Sequence, residues 1–520
     1  MRPINTSLFL AAALAAACAP KSTAIESAGP AVAPGDDVAA GAAPGSVAGV
    51  TSSGVPVKEI SLAEAGLEAA ALDRSAQPCD DFYQYACGGW MASHEIPADK
   101  TRYGRFGEVS DRNEVVLHEI LESLRKPTAD GEQVGKVEGA LGAYYDACMD
   151  EAAVEKADLA ALAPLRTQVS TVKSAKAVAA ALLAMTRAGL SPVFAAASEP
   201  DYKDSSVYTL FIDTTGLGLP DRDYYSEERF KDKRAAYVEH VTRFFQLLGR
   251  KPAAAARAAA DVMSLESEIA KLTMSQVDRR EPSKIYNPTT VTDLVKLAPA
   301  FDWSAWLAAL GNPTLDHVVL TNPAFFAGVS GLMKTIKPSI WASYLEWRTV
   351  RPLADALPSR FAEEAFQLTK LTRGLPEQPV RWKRCVAAVN TALPQYLGQP
   401  FVDQAFPGES KQSATEMGGA IRRALSADIA GLSWMTEATK EQAQLKLKAV
   451  GLLIGYPDTW REYDFAIDRT TYAANMMAAT LAETRRQFAR AGQKVDRDEW
   501  LMPPQIVNAY YNPNANNTAL

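Results

Sequence analysis

Histidine is scarce: four occur in 520 residues, at positions 94, 118, 240 and 317, and no two stand three or four apart. That spacing is what places two imidazoles on one helix face to hold a metal, so these residues encode no such pair. Cysteine is also sparse, at five, with no Cys-x-x-Cys to build a tight thiolate cluster. No Gly-x-Ser-x-Gly is present, which removes the strand-to-helix serine nucleophile. Two stretches approach a phosphate or dinucleotide loop and fall short. "GEQVGKV", from Gly131, is one residue too short and has Val137 where a hydroxyl should reach magnesium; "GLGLPD", from Gly216, lacks a third glycine and runs into Pro220. The basic residues are scattered, so the clustered footprint of a nucleic-acid binder is missing. No run supplies the about 20 apolar residues that cross a bilayer.

What is present describes a large globular chain, 48% hydrophobic and 22% charged with a net charge of −7. Single cores stop growing near roughly 250–300 residues, so two lobes are expected. "MRPINTSLFLAAALAAAC" reads as an export signal over residues 1–18, with one charge at Arg2, an apolar core from Leu8 to Ala17, and small residues before Cys18. Leu14-Ala15-Ala16-Ala17-Cys18 resembles a bacterial lipobox, with Leu14 one position farther from the thiol than usual. This points to lipidation at Cys18 and anchoring to a membrane in the periplasm or outer membrane; plain secretion with cleavage near Ala17 is the alternative. Residues 19–56 are nearly all Ala, Gly, Pro, Val and Ser and read as a disordered tether.

From Val57 on, helical periodicity dominates. In "NEVVLHEILESLRK" the apolar positions Val116, Leu117, Ile120, Leu121 and Leu124 recur at three- and four-residue steps, as do Val262, Leu265, Ile269 and Leu272. Ala-rich stretches such as "SAKAVAAALLAMTRAGL" and "TYAANMMAATLAETRRQFARAG" are strong helix formers. Two segments read as strands: "SSVYTLFIDTT", turning at Gly216 and Gly218, and "PQIVNAYY" near the end. The fold expected is mainly α with small β elements. With the signal removed, Cys79, Cys87, Cys148 and Cys385 remain, and four cysteines allow three pairings.

"PCDDFYQYACGGWMASHEIPADKTRYGRFGEV", from Pro78, resembles the N-terminal signature of the neprilysin and endothelin-converting-enzyme family of zinc metallopeptidases. "GLGLPDRDYY", "RREPSKIYNP", "YLEWRTVRPLADALP", "WMTEATKEQAQLKLKAVGLLIGYPDTW" and "VDRDEWLMPPQIVNAYYNP" follow in the family's order, out to about Asn516. The resemblance implies the large helical lobe of a two-lobed, gluzincin-type peptidase over 57–495. It implies the first strand of a truncated catalytic domain over 496–520. It pairs Cys148 with Cys385, and gives Cys79 and Cys87 partners in a C-terminal portion beyond this chain, so both are unpaired here. Asn508 and Ala509 match the pair that hydrogen-bonds the backbone of a bound peptide. Arg102 matches an arginine that contacts the peptide's C-terminal part; its companion falls on Ser110, with Arg112 nearby.

Zinc is the family's cofactor, held by His-Glu-x-x-His and a later Glu. His94-Glu95 is followed by Ile96, Pro97 and Ala98, and His118-Glu119 by Ile120, Leu121 and Glu122; the inverted motif at Glu239-His240 meets Ala236. The expectation is that no zinc binds to this chain as given. The chain departs from the family at Asn517, so the strand at Pro503–Tyr511 is expected to lack neighbours, and apolar surface to be bare. The activity implied is hydrolysis of internal bonds in small to medium peptides, with this chain inactive alone. The alternatives are a non-catalytic lipoprotein that binds peptides or a partner, and a truncated gene remnant.

Overall fold

The computed structural model describes residues 67–125 and 135–520. The export signal with Cys18, the 19–56 tether and most of the Gly131 stretch lie outside the described residues. Two compact units result, one ending at Tyr103 and one running from Gly104 to Leu520.

In the smaller unit the helix Phe82–Ser93 begins where the Asp81 carboxylate accepts from the Gln84 amide, satisfying one of the donors a helix start leaves open. Gly89 lets this helix touch the preceding segment: a Cβ there would sit 2.3 Å from the Ala70 carbonyl oxygen. Cys79 is exposed and Cys87 half-buried, both as free thiols.

The larger unit is built from α-helices with short strands between them. The predicted periodic stretches form helices Arg105–Arg125, Ala175–Arg187, Pro252–Leu272 and Tyr472–Arg490. Pro252 starts its helix at a position whose N–H has no intrahelical partner. The apolar face of that helix, Ala255, Ala258, Val262, Leu265 and Ile269, is fully buried between Lys231–Leu247 and Pro338–Val350. Trp303, Trp341, Trp347, Tyr237, Tyr344, Phe244 and Phe325 fill this core. Cys148, on Lys136–Met149, is bonded to Cys385, on Arg381–Ala392, across 237 residues of sequence.

A four-stranded sheet packs in the same core: β1 (Phe194–Pro200), β2 (Tyr208–Thr214), β3 (Asn287–Thr290) and β4 (His317–Leu320), in the order β1-β2-β4-β3. β2 is the strand predicted in "SSVYTLFIDTT". The turn after it needs its glycines, since Gly216 has φ +111° and a Cβ on Gly218 would meet the Tyr237 hydroxyl at 1.9 Å.

The chain end differs from the sequence expectation. Only Tyr510–Asn512 (β6) of the predicted Pro503–Tyr511 strand is β; a turn with Asn516 at φ +48° follows, and Asn517–Ala519 (β7) returns antiparallel to it. β7 also pairs in parallel with Gly451–Leu453 (β5), giving the order β5-β7-β6. The strand expected to have lost its neighbours therefore keeps one.

Candidate functional site

The segment from Glu499 to β6 is held in place by polar anchors, one half-buried at Glu499 and one buried at Gln505. The Glu499 carboxylate accepts from Arg486 Nη1 (2.9 Å) and the Tyr208 hydroxyl (3.1 Å) and is also paired with Arg490, whose guanidinium lies 3.8 Å from the Tyr208 ring centroid. Burial would push the neighbouring Glu483 carboxyl up, but the bonds and charge of Arg486 and the charge of Arg461 outweigh it and hold it low. Both carboxylates are committed to ion pairs, so neither is poised as a base.

Gln505 is the second anchor. Only 3% exposed, it donates through Nε2 to Asn390 Oδ1 (2.6 Å) and the Pro394 carbonyl (2.8 Å), while its main-chain carbonyl accepts from Asn113 Nδ2 (3.1 Å). On the other side, Arg497 donates to the Ala515 carbonyl and Asn517 Nδ2 to the Arg497 carbonyl, each at 2.9 Å, tying the hairpin turn back to the incoming chain. Burial raises the Tyr510 phenol, whose hydroxyl accepts from the Leu501 amide.

Between these anchors lies Ile506–Ala509, in which the Ile506 amide donates to the Pro503 carbonyl at 3.2 Å. Ile506 and Asn508 are exposed and Ala509 half-buried. The Ala509 amide is met by the Asn508 side-chain oxygen at 2.8 Å, and no strand of the described residues pairs with this stretch. It leads directly into β6, the open edge of its sheet. An edge fixed at both ends with unladdered backbone can accept an extended peptide as a further strand. Arg102 is exposed in the smaller unit; Ser110 and Arg112 are exposed on Arg105–Arg125 of the larger one.

Each histidine has its own local partner. His94 stacks on Trp90 at 4.4 Å; His118 stacks on Trp382 at 4.3 Å and has Nδ1 3.0 Å from the Tyr145 hydroxyl. His317 is exposed beside Asp316. His240, read from the sequence as standing alone, is instead 1% exposed with Nδ1 2.7 Å from Glu364. Burial depresses its pKa against the opposing pull of that carboxylate. Among the described residues no three His, Cys, Asp or Glu side chains gather as a metal site would require. The described donors do not fit a catalytic zinc, which needs three protein ligands around one ion.

Sequence reasoning missed a buried carboxyl at Glu266. It accepts from Tyr225 (2.7 Å) and Tyr237 (2.9 Å); the Tyr225 oxygen receives the Gly218 and Leu219 amides, and Tyr237 the Trp347 indole. Burial drives the Glu266 pKa up to about 7 against the bonds from the phenols and the charge of Arg348. The available signal was its position one residue after Leu265, on the apolar face of an otherwise regular helix. This network locks the "GLGLPDRDYY" turn into the core, which accounts for that motif structurally.

This mainly helical body, with a disulfide joining distant helices and short sheets between them, has the fold of solved M13 peptidase structures. The chain belongs to Peptidase family M13, whose N-terminal model matches residues 78–457. It is 30% identical over 499 residues to endothelin-converting enzyme-like 1 of Mus musculus, covering 90% of this chain and 63% of that protein. It is 29% identical to human endothelin-converting enzyme 1, covering 86% and 60%. It thus spans about six-tenths of the length of these curated relatives. Among solved structures it resembles the Mycobacterium tuberculosis zinc metalloprotease Zmp1 in complex with an inhibitor, at 31% identity and TM-score 0.81 over 87% of this chain and 69% of that one. PepO of Lactobacillus rhamnosis, at 18% identity and TM-score 0.77, shares the fold.

Proposed function

We propose that this chain is the peptide-presenting part of an exported M13 zinc endopeptidase, and that residues 1–520 alone hold peptides without cleaving them. The observation that carries the reading is the stretch Val507–Ala509, which no strand of the described residues pairs with and which leads into the open edge at β6; Asn508 and Ala509 there are the residues that the family resemblance implies as the peptide-binding pair. A bound peptide lies antiparallel or parallel to this edge, with Asn508 and the Ala509 amide bonding its main chain. A carbonyl of the peptide replaces the Asn508 side-chain oxygen on the Ala509 N–H. The small Ala509 side chain leaves the peptide's side chains room on that face. Arg112, exposed on Arg105–Arg125, grips the peptide's terminal carboxylate in the bidentate manner a guanidinium allows. Zinc, when held by a His-Glu-x-x-His polypeptide, supplies the activated water. Export and a lipid anchor at Cys18 fit the N-terminal sequence, and the Cys148–Cys385 bond fits an oxidising compartment.

The test is fluorescence anisotropy of a labelled, unstructured decapeptide titrated with the purified chain. Asn508→Ala and Ala509→Pro should each weaken binding on the order of tenfold, the worth of one lost main-chain bond with its desolvation. Equal affinity in both variants and the parent would contradict the assignment of the edge.

A further inference from the structure

His240 lies on the helix Lys231–Leu247, 1% exposed and walled by aromatic rings. Phe244 and Trp347 meet it edge-on, with ring centres 5.4 and 5.7 Å away, and Tyr237 lies at 6.5 Å. Its polar contact crosses to another helix: Nδ1 is 2.7 Å from Oε1 of Glu364, on Ser359–Arg373. The other ring nitrogen, Nε2, is fully buried and has no hydrogen-bond partner among the described residues.

These contacts fix the tautomer. Arg243 Nε donates to both Glu364 oxygens at 2.9 Å. Burial would push the Glu364 carboxyl up, but the bonds from His240 and Arg243 outweigh it and hold it low. A carboxylate only accepts, so Nδ1 carries the ring proton and Nε2 keeps a buried lone pair. A second proton then has two places to go, and either one damages the contact. On Nε2 it makes a buried N–H with no acceptor, and a further cation facing the charges of Arg351 and Arg243, which both oppose it. On Glu364 it removes the charge that holds Arg243. The remaining ionisable neighbours do not relieve this: Glu239, 4.0 Å from Arg243, is exposed, and the Tyr237 hydroxyl is taken by Glu266 and the Trp347 indole.

The helix that bears Glu364 packs mainly on Lys231–Leu247 and on the short helix Arg351–Ala356. It buries Phe361, Ala362, Ala365 and Leu368 and stops at Gly374, with φ +70°. The next helix, Arg381–Ala392, is fastened separately through Cys385 to Cys148. We infer that His240 and Glu364 form a proton-operated clasp, which fastens Ser359–Arg373 to Lys231–Leu247 at neutral pH and opens in mild acid. The helix then loosens locally while the disulfide keeps its neighbour in place. Opening returns the imidazole to water, where it takes a proton below about pH 6.5, whereas the buried ring resists protonation to lower pH. The clasp is therefore complete above about pH 6.5 and weakens as pH falls below it. Glu364 adds to the effect only below about pH 4.3. Glu266 acts in the opposite sense, since its raised pKa favours the folded state in acid.

The experiment compares amide hydrogen exchange of the purified full chain at about pH 7.5 and about pH 5, corrected for intrinsic rates. Exchange across residues 359–373 should speed up on the order of tenfold at the lower pH relative to that of Pro252–Leu272. In His240→Gln, whose amide still donates to Glu364 but takes up no proton, the acceleration should disappear. A second measurement does not depend on that variant folding. In a chain keeping His240 as its only imidazole, through His94→Gln, His118→Gln and His317→Gln, nitrogen-15 spectra should show one ring proton, on Nδ1, at about pH 7.5. A proton on Nε2 instead would overturn the inference. So would equal acceleration in His240→Gln, or no acceleration in the parent.

Discussion

The helical body from Lys136 to Ala405 and the region from Gly408 to Leu520 are made by the same chain under opposite rules. In the body, apolar faces meet other apolar faces: Val262 and Leu265 are fully covered, and even a carboxyl, Glu266, is taken inside and satisfied by two phenols. In the later region Tyr472–Arg490 still packs Tyr472 and Phe488 into that core, but the helical hairpin of Gly408–Gly431 with Glu437–Lys448 and the stretch beyond Glu499 are set by polar anchors. Glu499 is set by arginines and Gln505 by Asn390 and Pro394, and the hairpin is held at its base by Lys411 and Arg422. The difference teaches where function lies. The body covers its own apolar and polar groups, whereas the later region leaves Met417, Ile421 and Leu425 exposed and the β6 edge unpaired among the described residues.

The comparison can be broken in order of expected effect. Replacing Cys148 and Cys385 by serine should cost roughly 2–5 kcal/mol in denaturant unfolding, because the bond closes a long loop of the unfolded chain. A loss confined to the later region, with the body's unfolding unchanged, would contradict the division. Next is pH. The Glu266 carboxyl titrates near 7 in the fold, against an ordinary carboxyl value when unfolded, so the folded state keeps a proton that the unfolded state releases. Its contribution to stability is complete below about pH 4.5 and is lost as pH rises to about 7, a fall of up to roughly 3 kcal/mol. Glu266→Gln should flatten that slope, and an unchanged slope would show that the buried network does not titrate. The smallest effect is at Gln505. Gln505→Ala removes the bonds to Asn390 and Pro394, so hydrogen exchange across residues 503–512 should speed up on the order of tenfold, the equivalent of about 1.4 kcal/mol of local stability. Exchange in Pro252–Leu272 should not change.

Many helices, in the body and on either side of it, were legible because they obey one rule repeated many times. Three- and four-residue apolar spacing located Arg105–Arg125 and Pro252–Leu272, and Ala-rich runs located Ala175–Arg187 and Tyr472–Arg490. β2 was readable from its aromatic and β-branched residues ahead of two glycines. The later region was less so. β7 is three residues long and follows an Asn-rich turn; its pairing with β5 spans more than 60 residues, which no local pattern reports. Long-range polar partners were equally silent: neither His240 with Glu364 nor Gln505 with Asn390 leaves a periodic trace. The candidate edge at Asn508 and Ala509 came from family resemblance, and the physical feature that anchors it, a buried glutamine, emerged only with the fold.

The central claim is that these 520 residues hold a peptide but do not carry the chemistry that cuts it. The most direct test incubates the purified chain with zinc and an internally quenched peptide, following hydrolysis and bound zinc together. The account predicts peptide binding, no stoichiometric zinc and no hydrolysis above the buffer rate. Chelator-sensitive hydrolysis accompanied by one tightly bound zinc per chain would contradict it.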